Sequence, residues 1–196
     1  GMDLQFPHHE SEIAQSTICN HTAPVRYWMH NNMITINGKK MGKSYNNVIK
    51  LTELFSGNHP ILEKAYHPMT VRFFILQTQY RSTLDFGNEA LQAAEKGLKR
   101  LMEAHEWLAK YEIGSTQYVA KDKALDEKVV QLIAEFDEFM NDDLNTAKVL
   151  ASMFELVPVI NGLKDKHIAA DALSSDTILL LQTKLKLYIE DIFGLK

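Results

Sequence analysis

A chain of 196 residues is long enough to bury a hydrophobic core, either as one large domain or as two smaller ones. Its formal net charge of -4 argues against a protein that coats nucleic acid through bulk electrostatics, and its apolar runs fall short of bilayer-spanning length. A single cysteine, Cys19, excludes an internal disulfide and fits a reducing compartment, where we expect it to be a packed thiol. The composition therefore predicts a cytoplasmic protein with no membrane partner.

The first part of the chain, residues 1–87, is predicted to be mixed in structure. Pro7 suits the first turn of a helix, so residues 8–17 should form a short helix. We expect Ile13 and Ala14 of this helix to face a core.

A β-hairpin is predicted next, followed by a loop with two lysines. Residues 33–36 alternate as a strand does, and Asn37 with Gly38 supplies the two positive φ angles of a type I′ turn. Lys40 and Lys43 then stand three positions apart, so their ammonium groups can close together on a polyphosphate. Taken alone, the same string also fits a solvated basic turn.

Helices dominate the remainder of the chain. A buried helix is predicted at residues 68–79, where four residues recur on one face: Val71, Phe74, Ile75 and Thr78. From residue 88 onward, apolar residues step by three and four along four segments, each tracing one helix: Leu91 to Leu108, Leu125 to Phe139, Ala147 to Val157, and Ile178 to Ile192. Connections are expected at residues 113–116, 141–146 and 164–175.

These patterns give a fold class that is mainly α. Pro158 should kink or shorten the third of the four long helices. Neighbouring helices joined by short connections bury one another's apolar stripes, which predicts an antiparallel four-helix bundle at residues 88–196. The bundle follows a partial catalytic region with a short β-hairpin at residues 1–87.

One pair of side chains could bind a metal. His8 and Glu12 are four positions apart, so on a helix they project from the same face and offer an imidazole nitrogen and a carboxylate oxygen. Such a pair is more often a surface hydrogen bond, and two ligands do not complete a zinc site. The neighbouring aromatic residues His9, Trp28 and His30 are interpreted as packing residues whose polar edges are satisfied by hydrogen bonds.

Several segments carry a family resemblance. Three segments resemble, in the same order, the second half of the catalytic region of cysteinyl-tRNA synthetases: residues 3–16, residues 27–30 (Tyr-Trp-Met-His) and residues 40–44 (Lys-Met-Gly-Lys-Ser). Three further segments resemble the part of that family's sequence that leads into its helical anticodon-side domain: residues 70–74, 80–82 and 142–146.

The resemblance implies an activity and its site residues. The complete enzyme would activate L-cysteine with ATP and Mg²⁺ to cysteinyl-adenylate, and transfer the cysteine to tRNA(Cys). His8 and Glu12 would be two of four Zn²⁺ ligands, the others being cysteines upstream of residue 1. Lys40 and Lys43 would form the mobile signature loop of class I synthetases, with Lys43 on the ATP phosphates, and Asp3 would lie near the adenylate pocket.

The resemblance also sets expectations for the isolated chain. Gly42 stands where the usual motif has serine, which loosens the loop without touching either lysine. The half with the HIGH-type ATP motif would lie outside this chain, so we expect the chain to be an inactive piece of a larger, monomeric enzyme. Residues 1–87 would be its catalytic and stem-contact region, and residues 88–196 its tRNA-binding bundle.

Two alternatives remain open at this point. A related ligase joins cysteine to an amino-sugar in mycothiol biosynthesis and shares the histidine motif and the lysine loop. A non-catalytic RNA-binding or interaction module would instead use the helical half with its basic cluster of Lys96, Lys99 and Arg100.

Overall fold

A computed structural model describes residues 1–114 and 117–196 of the chain. These residues are mainly helical and include a small three-stranded mixed sheet. They divide into two compact units: the first unit contains residues 1–65 and 78–88, and the second unit contains residues 66–77 and 89–196. Of the predicted connection at residues 113–116, residues 115 and 116 lie outside the described residues.

The sheet of the first unit contains the predicted hairpin. Strand β1 (Ile34–Ile36) pairs antiparallel with β2 (Lys39–Lys40) and parallel with β3 (Leu84–Phe86). Asn37 (φ 49°) and Gly38 (φ 76°) both have positive φ angles, as a type I′ turn requires, so the hairpin prediction is confirmed. Strand β3 was not predicted, because three residues are too few to show the alternation that identifies a strand.

The first helix begins later than expected and does not face a core. A kinked turn at Gln5–His9 precedes α1 (Glu10–Asn20). Ile13 is half-buried, but Ala14 is exposed, so the prediction that both face a core is wrong for Ala14. The prediction of a packed thiol is also wrong, because Cys19 is exposed.

Ala14 and Cys19 are exposed because the first unit buries little apolar surface. Within residues 1–65 and 78–88, the buried hydrophobic side chains are Ile36 and Leu54. Many large apolar side chains of the same unit are exposed: Met2, Leu4, Phe6, Ile18, Val25, Tyr27, Met29, Met33, Tyr45, Val48, Leu51 and Phe55. Apolar exposure on this scale is typical of a surface that packs against other protein.

The second unit is built from long helices around a dense core. It contains α3 (Pro68–Leu76) and the helices that match the four predicted ones: α4 (Asn88–Ala109), α5 (Lys123–Asn141), α6 (Thr146–Lys164) and α7 (Ser175–Lys186), which ends in a wider turn at Leu187–Ile192. Helix α5 packs against both α6 and α7.

Helix α3 is present as predicted, but its buried face differs from the prediction. Val71 and Phe74 are buried, whereas Ile75 is 48% exposed and Thr78 lies beyond the end of the helix. Thr70 and Phe73 are buried in their place. The Phe73 ring packs edge-on against the Phe154 ring with 6.2 Å between centroids, so contact with α6 selects the inward face.

Helix α6 forms the centre of the second unit. It begins after the Asn145 side chain, which accepts a hydrogen bond from the Lys148 amide at 3.2 Å. It continues through Pro158 to Lys164, so of the two predicted effects of this proline, a kink or a shortening, the shortening is wrong. We expected no apolar run of membrane-spanning length, but α6 is long and apolar enough to cross a membrane. However, 56% of its apolar stretch is buried inside the protein. A core helix passes the same test of length and composition.

A polar network joins α5 to the C-terminal part of the second unit. The Asp137 carboxylate accepts hydrogen bonds from Lys184 Nζ (2.6 Å) and the Tyr188 hydroxyl (2.6 Å), and both hold the pKa of Asp137 below its usual value. Burial, together with the neighbouring Asp137 charge, raises the pKa of Tyr188. Nearby, buried His105 lies 3.0 Å from the Glu190 carboxylate, and this hydrogen bond lowers the pKa of Glu190.

This network predicts an acid-sensitive second unit. A carboxyl group whose pKa is lower in the folded state adds stability that is complete above its unfolded pKa of about 4 and is lost as pH falls through the folded pKa. Asp137→Asn should therefore flatten the fall in the free energy of unfolding between about pH 5 and about pH 2. Urea denaturation at a series of pH values measures this dependence.

The matched control is Glu127→Gln, which changes an exposed carboxylate on the same helix. In this variant the free energy of unfolding should depend on pH as it does in the unchanged chain. Identical pH profiles for Asp137→Asn and the unchanged chain would show that the network does not contribute.

Candidate functional site

The lysine loop is braced at its base by one buried side chain. Asn47, which is 8% exposed, accepts a hydrogen bond from the Gly42 amide at 2.9 Å and donates one to the Lys40 carbonyl at 3.1 Å. The Met41 amide also donates to the Ile34 carbonyl at 3.1 Å, which continues the hairpin pairing into the loop. The backbone on both sides of residue 41 is therefore fixed to the first unit.

Past this brace the chain forms a short helical turn and then reverses. Lys43 begins the turn Lys43–Tyr45, and Asn46 follows it in a left-handed conformation with φ 50°. Asparagine tolerates this conformation better than most residues because its short polar side chain can form local hydrogen bonds. The turn presents the Lys43 side chain to solvent.

The hairpin that precedes the loop is held by a carboxylate on strand β3. Asp85 Oδ1 accepts a hydrogen bond from the Thr35 hydroxyl at 2.6 Å and another from the Gly38 amide at 2.8 Å. These bonds tie the turn to both β1 and β3. Sequence reasoning missed Asp85 and Asn47 because neither stands in a recognisable motif, and Asp85 also acts on groups far from it in the chain.

Lys43 lines an open depression with a volume of about 480 Å³. The other residues that line it are Asn46, Val48, Lys50, Glu53, His59, Pro60 and Ile61. Helix α2 (Leu51–Ser56) borders it, beginning where the Lys50 amide donates to the Glu53 carboxylate at 2.8 Å. The depression therefore offers two ammonium groups and one carboxylate, a set with a net positive charge that favours an anionic ligand. Lys40, exposed on β2, is not among the described residues that line it.

His8 and Glu12 lie at the start of α1, and both are exposed. His8 is in the kinked turn that precedes α1, and Glu12 is in the first turn of the helix. Their nitrogen and oxygen donors fit zinc, but they make half of a tetrahedral site. Within residues 1–114 and 117–196, His, Cys, Asp and Glu side chains do not gather in groups of three or more that could hold a metal.

The remaining predicted residues are placed as follows. Asp3 lies exposed in the short turn Met2–Leu4. His9, Trp28 and His30 form one cluster: His9 Nδ1 and His30 Nε2 are 2.8 Å apart, and the Trp28 ring stacks on both imidazoles. The interpretation as hydrogen-bonded packing residues is confirmed for His9 and His30, and Trp28 is confirmed as a packing residue through its ring contacts.

Two known families match separate parts of the chain. Residues 1–96 match the tRNA synthetases class I (C) catalytic domain, and residues 135–195 match the DALR domain. The first match contains the lysine loop and the His8–Glu12 pair. The second begins within α5 and covers the polar network of Asp137.

Curated relatives match the chain from end to end. Cysteine–tRNA ligases of Cytophaga hutchinsonii, Parabacteroides distasonis and Bacteroides thetaiotaomicron are 49%, 52% and 51% identical to it, each over 100% of this chain. The chain spans only 39%, 38% and 38% of the length of these relatives. It therefore belongs to the cysteinyl-tRNA synthetase family, of which it contains part of the class I catalytic domain and the DALR domain.

Proposed function

We propose that the complete protein containing this chain is a cysteine–tRNA ligase, which activates L-cysteine with ATP and transfers it to tRNA(Cys). The observation that carries this proposal is the braced lysine loop at the edge of the depression, within a chain that is 49–52% identical to cysteine–tRNA ligases. The isolated chain spans less than two fifths of such a ligase, so we expect no activity from it alone.

In the activation step, the carboxylate of cysteine attacks the α-phosphorus of ATP. A new oxygen–phosphorus bond forms, and the bond to the departing pyrophosphate breaks, with Mg²⁺ neutralising phosphate charge. Negative charge shifts toward the pyrophosphate oxygens as this occurs. We expect the exposed ammonium group of Lys43 to stabilise that charge, with Lys40 assisting from β2 and Asp3 near the adenylate pocket.

His8 and Glu12 would supply two of the ligands of a Zn²⁺ ion in the complete ligase. A zinc ion there would bind the side-chain sulfur of cysteine directly, which serine cannot match, so selection would need no editing step. Two further ligands would come from parts of the ligase outside this chain. The exposure of both side chains supports this proposal, because they are accessible to such a partner segment.

The helical part of the chain would bind tRNA. We propose that residues 1–87 serve the catalytic and stem-contact region and residues 88–196 an antiparallel tRNA-binding bundle, in a monomeric cytoplasmic enzyme. The DALR match at residues 135–195 supports this division. It also favours tRNA over the amino-sugar of mycothiol synthesis as acceptor, as do relatives named cysteine–tRNA ligase.

The assignment of Lys43 can be tested in the complete ligase. Lys43→Ala should slow ATP–pyrophosphate exchange by about a hundred- to thousandfold, the usual loss for one transition-state donor, while the Kd for cysteine stays the same. Lys39→Ala, an exposed neighbour on β2, is the matched control and should retain the normal rate. An unchanged exchange rate in Lys43→Ala would exclude Lys43 from the chemical step.

The role of the Asn47 brace can be tested separately. Asn47→Ala removes both hydrogen bonds to the loop base and should slow pyrophosphate exchange by about ten- to a hundredfold, because small displacements of a charged group weaken catalysis strongly. Asn47→Asp keeps the acceptor for the Gly42 amide and loses the donor to Lys40, so its rate should fall in between. Equal rates for all three proteins would show that the brace does not position the loop.

The metal assignment predicts loss of zinc on removal of His8. His8→Ala in the complete ligase should lower the zinc content measured by elemental analysis and raise the misactivation of serine relative to cysteine. His167→Ala removes an exposed histidine of the second unit and should leave both measurements unchanged. Full zinc occupancy in His8→Ala would remove His8 from the ligand set.

A further inference from the structure

The cluster of His9, Trp28 and His30 has a role that the lysine loop and the metal pair do not explain. We propose that Trp28 and His30 are positioning residues for His8 and Glu12, acting through His9 to hold the first turn of α1. This inference rests on the proposed function, which supplies the zinc role of His8 and Glu12.

The cluster is a three-ring stack closed by a hydrogen bond. The ring centroids of His9 and Trp28 are 4.9 Å apart, those of Trp28 and His30 are 5.8 Å apart, and the latter two rings are nearly parallel at 6°. The two imidazoles share one hydrogen bond of 2.8 Å. Because two rings contact His9 and one of them also bonds its nitrogen, both its position and its ring orientation are fixed.

Helix α1 has few other means of being held. Each described residue of Glu10–Asn20 is at least partly exposed, so burial does not anchor the helix to a core. His9 precedes it as the capping residue, but its side chain makes no capping hydrogen bond to α1. The ring of His9 instead turns toward His30, so the start of α1 is attached to the rest of the first unit through this cluster.

The other side of the cluster is fixed to the segment that precedes strand β3. Asn32, two residues after His30, donates from its amide to the Tyr80 carbonyl at 3.0 Å and from Nδ2 to the Arg81 carbonyl at 2.9 Å. Its side-chain oxygen accepts from the Met33 amide at 2.8 Å, immediately before strand β1. The cluster thus connects α1 to backbone that leads directly into the sheet.

This connection determines where the metal pair lies. His8 is the sequence neighbour of His9, and Glu12 follows His9 by three residues, in the first turn of α1. If His9 is released, the first turn of α1 loses this attachment, and the two donors are no longer held in a fixed position relative to the sheet. Loss of a residue that supports metal ligands commonly weakens metal affinity by about ten- to a hundredfold.

The experiment uses the complete ligase, first stripped of metal and then reloaded with zinc. In the metal-free protein, His30→Ala and Trp28→Ala should speed hydrogen exchange of the Ile13 and Ala14 amides about tenfold or more, because these amides report on the first turn. In the reloaded protein, chelator competition should give zinc affinities about ten- to a hundredfold weaker. His30→Gln can still bond to His9 and should recover part of both effects.

Tyr27→Ala is the matched control, since this neighbouring aromatic side chain is 86% exposed. It should change neither measurement. Unchanged hydrogen exchange in both variants overturns the anchoring of α1, and faster exchange with unchanged zinc affinity overturns the positioning role. If the unchanged ligase binds no zinc, the metal part of the proposed function fails, while the exchange measurement still decides whether the cluster holds His8 and Glu12.

Discussion

Strand β1 is the element on which both candidate binding groups of the first unit depend. It has only three residues, Ile34–Ile36, but it is paired on both edges, and Ile36 is 4% exposed. Before it, Asn32 fixes the segment that carries the aromatic cluster and thereby the start of α1. After it, the hairpin leads into the loop that contains Lys43. A change in the position of β1 would therefore displace the lysine loop and the His8–Glu12 pair together.

The first unit keeps this precision with little hydrophobic core. Where buried side chains are scarce, geometry must come from directed hydrogen bonds, and three short polar side chains supply them: Asn32, Asn47 and Asp85 each bond to two separate groups. Each such bond contributes about 1 kcal/mol net, enough to select a loop conformation but too little to replace a core. The exposed apolar surface therefore needs cover, and relatives more than twice as long have the sequence to provide it.

How far the sequence predicts the structure depends on the range of the interaction. The type I′ turn at Asn37 and Gly38 and the long helices α4 to α7 were predictable, because turn chemistry and apolar periodicity are local properties. The buried face of α3 was not, because contact with α6 decides it. The site shows the same limit: motif resemblance identified Lys43 and His8, whereas Asn47 and Asp85 act through bonds that only the folded chain brings together.

The lysine loop consists of a braced base and a short helical turn, and Gly42 lies where the two meet. Its amide is bonded to Asn47, yet its backbone is extended and a β-carbon there would come no closer than 3.4 Å to the Tyr45 ring, an ordinary contact. A side chain would therefore fit, so sterics do not require glycine at this position. Where alanine fits, replacing glycine by alanine commonly stabilises a protein by about 0.4–1 kcal/mol, chiefly because alanine restricts the unfolded chain. The bond from its amide to Asn47 fixes the base of the loop, so under the proposed function any freedom that Gly42 adds would fall on the turn that carries Lys43 and not on Lys40 and the hairpin.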